Sequence, residues 1–199
     1  MIELKDLSFS YGEKEVLKNL SYTFPDRGIF AVMGESGEGK TTLLRLLATL
    51  EKPCGGEITS THKSVAVAFQ EPRLLPWLNA ENNLKFVLSK KKIASGTAQS
   101  LLRELELEDC AAMLPHELSG GMKQRLSLAR ALAADADLLL LDEPFSALDA
   151  ALKERVAELV KNANKDGLTI VITHDKGDAE LLGAKILTLK NEAVTTLNE

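Results

Sequence analysis

Gly28-Ile29-Phe30-Ala31-Val32-Met33 runs straight into Gly34-Glu35-Ser36-Gly37-Glu38-Gly39-Lys40-Thr41. The first half is an unbroken apolar run, the pattern of a strand buried on both faces. The second half is a glycine-rich loop, and Leu43, Leu44, Leu46 and Leu47 then recur at helical spacing within 41–49. Strand, loop and helix in that order open a βαβ unit. The loop itself fits G-x-x-x-x-G-K-[ST], a pattern with a physical basis. Its glycines let the backbone wrap a phosphate with N–H groups turned inward, and the following helix adds the positive end of its dipole. Lys40 then supplies a point charge to β- and γ-phosphates, and the Thr41 hydroxyl suits Mg²⁺. Gly34, Glu35, Ser36, Gly37, Glu38, Gly39, Lys40, Thr41 and the adjoining Thr42 are therefore candidate nucleotide-binding residues.

Outward from this loop, the first thirty residues alternate. Ile2, Leu4 and Leu7, then Val16, Leu17 and Leu20, then Tyr22 and Phe24 predict short strands, with a turn at Tyr11-Gly12-Glu13. From Glu71 to Leu118 the texture is polar and helix-forming, with a soft spot at Ser95-Gly96-Thr97, which predicts an inserted, mostly helical lobe. A helix is expected from Gly121 to Ala134. An amphipathic one is expected from Ala150 to Ala163, with Leu152, Val156, Leu159 and Val160 on one face. Gly167 ends it, and Leu168 to Thr173 is another apolar strand, finishing at His174. A last strand falls around Ile186 to Leu189. The expected organisation is one domain over 1–199, with a core from 1–70 and 135–199 and a helical subdomain over 71–134.

Leu138-Leu139-Leu140-Leu141-Asp142-Glu143-Pro144 is the second anchor. Four leucines in a row make a central strand, and its carboxylates fall at the C-terminal end, the edge where parallel α/β sheets bind ligands. Asp142 suits Mg²⁺, directly or through water, and Glu143 suits a general base on an attacking water. Asp142 as a plain strand cap is the bland alternative.

Bulk composition sets the outer bounds. The chain has 199 residues, 45% hydrophobic and 27% charged, which fits one soluble α/β domain with a sizeable core. A net charge of -5 argues against a nucleic-acid partner, since phosphate neutralisation needs clustered Lys and Arg. Cys54 and Cys110 form no CxxC, so incidental thiols in a reducing compartment are expected. No secretory leader is visible, and no apolar run approaches the roughly 18 residues of a membrane span.

Leu118-Ser119-Gly120-Gly121-Met122-Lys123-Gln124-Arg125, placed before LLLLDEP, resembles the signature of ABC ATPases, and the similarity runs from end to end. The resemblance implies a P-loop NTPase fold. Its parts would be a parallel-rich central sheet, an N-terminal antiparallel β subdomain and an inserted helical subdomain. Tyr11 sits where the family stacks an aromatic on adenine, although a lone turn tyrosine is the ordinary alternative. Gln70 matches the Q-loop glutamine, which adds to catalysis and to Mg²⁺ binding. Ser146-Ala147-Leu148-Asp149 matches the D-loop, so Asp149 is a candidate dimer contact while also suited to cap the next helix. His174 matches the switch histidine, against the alternative of a satisfied edge histidine. By the same resemblance two copies pair head to tail, and Ser119, Gly120 and Gly121 of one copy close over ATP held by the other.

Phe69-Gln70-Glu71-Pro72-Arg73-Leu74-Leu75-Pro76-Trp77 looks like the segment of importer ATPases for small oxyanions such as nitrate, sulfonates or taurine. Leu74, Leu75 and Trp77 suit either lobe core or a groove for a membrane subunit. The resemblance implies ATP with Mg²⁺, a homodimer, a separate permease and an external solute-binding protein. It places the chain in the cytoplasm, peripheral on the inner face of the membrane. The sequence stops soon after its last strand, so no C-terminal regulatory domain is expected. Three rivals remain open: a non-transport ABC ATPase, the ATPase chain of an exporter, and a P-loop GTPase or kinase. The last fits poorly, since Asn164-Lys165-Asp166-Gly167 does not match the guanine-reading NKxD.

Overall fold

The computed structural model describes residues 1–190 and the backbone of the strand 193–196. Strands β1 (Ile2–Tyr11) and β2 (Lys14–Phe24) form an antiparallel hairpin, followed by β3 (Gly28–Met33) and helix α1 (Lys40–Leu47). Next come β4 (Gly55–Ser60), β5 (Val65–Ala68), α2 (Ala80–Lys85), α3 (Lys90–Ala94) and α4 (Thr97–Glu104). The chain continues through α5 (Gly120–Ala133), β6 (Leu138–Asp142), α6 (Ala150–Ala163), β7 (Leu168–Ile172), α7 (Lys176–Leu182), β8 (Lys185–Lys190) and β9 (Ala193–Thr196). Three strands pair in the order β2-β1-β4, and six pair as β5-β6-β7-β3-β8-β9. The larger sheet is parallel except for β9. This is the α/β P-loop NTPase architecture expected from the sequence.

The leucine run of β6 divides the core. Leu138 and Leu140 join one apolar cluster with the hairpin residues Leu4, Leu7 and Leu20 and with Leu43, Leu44, Leu46 and Leu47 of α1. Leu139 and Leu141 join the opposite cluster with Leu84, Leu102, Leu126, Leu128, Val156 and Val160 from the helices. Side chains alternate across a strand, so an all-apolar run must have a layer on each face. The antiparallel sheet and α1 cover one face, and α5 and α6 cover the other.

Two expectations are refined. The inward residues of β1 slip out of alternation between Leu4 and Leu7, and there the ladder shifts register, with Asp6 at φ 47°. A bulge inserts the extra residue and keeps both leucines inward. Strands β4 and β5 and helix α7 gave no periodic signal. In β4 only Ile58 is apolar, and β5 is four residues long. The soft spot at 95–97 is a true break: Gly96, at φ 77°, separates α3 from α4.

Candidate functional site

The phosphate loop is built from β3 into α1. Gly39 precedes α1 at φ 86°, and a side chain there would meet Leu17 at 2.8 Å and Val16 at 2.9 Å. Only glycine satisfies both the left-handed backbone and the close approach of the antiparallel sheet. The first N–H groups of α1 have no intrahelical acceptor and point out of its N-terminus. Lys40 Nζ donates to Gly34 O at 2.8 Å and Glu35 O at 2.7 Å. An ammonium has three protons, so one is left for a phosphate oxygen.

Asp142 and Glu143 end β6 beside this loop. Thr41 Oγ1 donates to Asp142 Oδ2 at 2.9 Å. Burial pushes the Asp142 carboxyl above its ordinary range, against the Thr41 hydrogen bond, which favours the ionised form. Glu143 takes a left-handed backbone at φ 52°, held by its N–H donating to Ile172 O at 2.9 Å. Successive strand residues face opposite ways, and this turn lets two adjacent carboxylates line one cleft. Such a conformation in a non-glycine residue is strained and persists only when its surroundings enforce it. Ser146 Oγ donates to Glu143 O at 3.0 Å and helps enforce it. His174 Nδ1 lies 3.0 Å from the Glu143 carboxylate, and this hydrogen bond, with the carboxylate charge, raises the imidazole above its ordinary value.

These groups line one cleft of about 490 Å³. It gathers Tyr11, Ser36, Gly37, Gly39, Lys40, Thr41, Thr42, Gln70, Asp142, Glu143 and His174. Gly34, Glu35 and Glu38 belong to the loop but do not line the cleft. Ser119, Gly120, Gly121 and Asp149 also lie outside it. Ser119 caps α5, its hydroxyl accepting from Met122 N at 3.2 Å, and Asp149 caps α6, accepting from Leu152 N at 2.9 Å. Gly121 approaches Ala147, with 3.8 Å between that methyl and the position of an added side chain. The signature helix therefore begins against the D-loop segment. Leu74 is partly buried against the helical cluster, whereas Trp77 is 72% exposed and so is not lobe core.

Sequence reasoning missed Lys14, Val16 and Ile172, which also line the cleft. It also missed Arg45, whose Nη1 donates to Tyr11 OH at 3.3 Å. Tyr11 packs edge-to-face on Phe9, with ring centroids 4.8 Å apart. The available signal for Arg45 was its place as the one charged residue inside the leucine stripe of α1. Among the described residues no group of three or more His, Cys, Asp and Glu could hold a metal alone. No helix among them is long and apolar enough to cross a membrane.

Known proteins resemble this chain in sequence and in fold. Residues 17–146 match the family described as ABC transporter. The chain is 43% identical over 198 residues to the aliphatic sulfonates import ATP-binding protein SsuB of Corynebacterium glutamicum, covering 96% of this chain and 81% of that protein. It is 37% identical to the arginine transport ATP-binding protein ArtM of Bacillus subtilis, covering 94% and 86% respectively. A dimeric, post-hydrolysis ATP-binding cassette bound to ADP and Pi superimposes with a TM-score of 0.85 at 30% identity, covering 100% of both chains. The ATP-binding subunit of an ABC transporter superimposes at 0.88 with 26% identity, covering 99% of this chain and 90% of that one. The chain belongs to the ABC transporter family, as an ATP-binding cassette.

Proposed function

We propose that this chain hydrolyses Mg-ATP at a head-to-tail dimer interface and thereby drives an importer whose channel is a separate membrane subunit. One observation carries the reading: the Lys40 loop, the Thr41–Asp142 bond and the Glu143–His174 pair converge on a single cleft. Residues 1–70 and 135–199 serve as nucleotide-binding core and 71–134 as the lobe that carries the signature.

The triphosphate binds to Lys40 and to the N–H groups at the start of α1, with the base against Tyr11. Thr41, Asp142 and Gln70 would hold Mg²⁺. Their hydroxyl, carboxylate and amide oxygens are the hard donors this ion takes, and the buried Asp142 carboxylate gains a counter-charge. When bound, the ion neutralises charge on the β- and γ-phosphate oxygens. Glu143 accepts a proton from the attacking water. His174 orients Glu143 through Nδ1 and offers its second ring nitrogen to the γ-phosphate. Gln70, which lines the cleft, aids in placing the water.

Ser119, Gly120 and Gly121 do not line their own cleft. The N-terminus of a 14-residue helix is an anion site, and in this reading it closes over ATP bound to a second copy. Asp149 lies at that same interface. Small oxyanions such as sulfonates are the favoured solute, because the SsuB relatives are named for that task. The membrane subunit, with an external solute-binding protein, makes the choice. The chain works in the cytoplasm, on the inner face of the membrane. Reconstitution with that subunit in vesicles tests the reading. Uptake of a sulfonate should require ATP and vanish with Lys40→Ala, and ATP-independent uptake would defeat it.

A further inference from the structure

Glu38 stands in the middle of the phosphate loop but sends its carboxylate out of the back. Its Oε2 accepts from the backbone N–H of Glu35, and the Glu38 N–H donates to Glu35 O at 3.4 Å. Residues 35 and 38 are thus tied twice, once by backbone and once by side chain. The carboxylate fills the space behind Gly34, where an added side chain would also meet Leu189 O at 2.7 Å. Ser36, Gly37 and Gly39 line the cleft, whereas Glu38 does not.

The tie reaches Lys40 through one residue. Glu35 O accepts from Lys40 Nζ at 2.7 Å, and the other face of the same residue, its N–H, is held by Glu38. The loop needs such a hold. Gly34, Gly37 and Gly39 all sit at positive φ (155°, 92° and 86°), and glycine loses more conformational freedom on ordering than any other residue. A carboxylate accepting from a backbone N–H is a charge-assisted bond, stronger than a neutral one. A second effect opposes it, because a negative side chain near a triphosphate repels it. The two effects predict opposite signs for removal of the carboxylate.

We infer that Glu38 is a positioning residue for nucleotide binding, holding Glu35, and through it Lys40, in the phosphate-accepting geometry. The inference rests on the proposal that this loop binds ATP.

Calorimetric titration of the full chain with MgATP tests it, using wild type, Glu38→Ala, Glu38→Gln and Glu38→Asp. Glu38→Ala should bind about tenfold more weakly, the scale of one lost hydrogen bond to a charged group. Glu38→Gln keeps an acceptor of the same reach, and although its neutral bond is weaker it also removes the repulsion, so it should bind more tightly than Glu38→Ala. Glu38→Asp keeps the charge but is one methylene short, and should resemble Glu38→Ala. Melting curves identify any variant that does not fold, and the remaining variants still decide the sign. Equal or tighter binding by Glu38→Ala, or wild-type affinity in Glu38→Asp, overturns the positioning role. Failure of wild type to bind MgATP at all would instead remove the nucleotide reading beneath it.

Discussion

His174 Nδ1 lies 3.0 Å from both carboxylate oxygens of Glu143, although 31 positions separate them in the chain. The parallel register of β6 and β7 sets this distance, since Asp142 pairs with Ile172 and the two residues follow at the same sheet edge. The bond favours the imidazolium, so His174 should titrate above its ordinary value of 6.5. With the folded value raised, the contribution of the pair is fully present below the unfolded value and is lost as pH rises through the folded one. The ring is 75% exposed, and solvent screening keeps the effect on stability small. NMR titration of the metal-free chain should put His174 above 6.5, and Glu143→Gln should bring it back down. His62, whose burial lowers its value, provides an internal contrast. A His174 that titrates at or below His62 would contradict the pairing.

Glu143→Gln keeps the size of the side chain but cannot take a proton at neutral pH. Removal of a general base costs about two to four orders of magnitude in rate. ATP should therefore persist and hold two copies together. The variant should elute as a monomer without nucleotide and as a dimer with ATP. Adding Ser119→Arg should abolish the dimer, because Ser119 does not line its own cleft and is proposed to act on a partner's nucleotide. A dimer that survives Ser119→Arg would refute the shared site.

Trp77 should separate stability from docking. At 72% exposure it contributes little to the core, so Trp77→Ala should leave the melting temperature within about 2 °C and soluble ATPase activity intact. Co-purification with the membrane subunit should be lost. Unfolding of the variant would contradict the exposure seen here.

Asp178 is a buried carboxylate with two donors. Lys153 Nζ donates to it at 2.7 Å and Thr173 Oγ1 at 3.2 Å, while Thr173 Oγ1 accepts from Asp175 N at 3.1 Å. The network pins the backbone on both sides of His174. Asp178→Ala leaves the fully buried Thr173 hydroxyl without its acceptor and Lys153 with only Asp175, 3.5 Å away, costing about 2 kcal/mol. The melting temperature should fall by about 4–8 °C, and Asp178→Asn should recover part of the loss. An unchanged melting temperature in Asp178→Ala would count against the network.

The sequence by itself determined the elements whose physics is local. A short double-faced apolar run bounded by turn residues reads as a buried strand at β3 and β6, and the glycines of 34–39 between such a strand and a helical pattern read as a phosphate loop. The capping residues Ser119 and Asp149 likewise start α5 and α6 through bonds to their own next turn. Family order then gave Gln70 and His174 expected roles that spacing alone leaves open. Tertiary structure decided what depends on distant partners. Strands β4 and β5 are held by ladder pairing with β1 and β6, which a stretch with one isoleucine, or four residues long, does not announce. Leu74 packs against the helical cluster while Trp77 stays exposed, a division between two apolar residues of one segment that the sequence does not mark. Glu38 reads in sequence as one more residue facing a phosphate. Only the fold brings the Glu35 N–H and the space beside Gly34 within reach of its carboxylate, and the bond formed there holds the side chain away from the cleft.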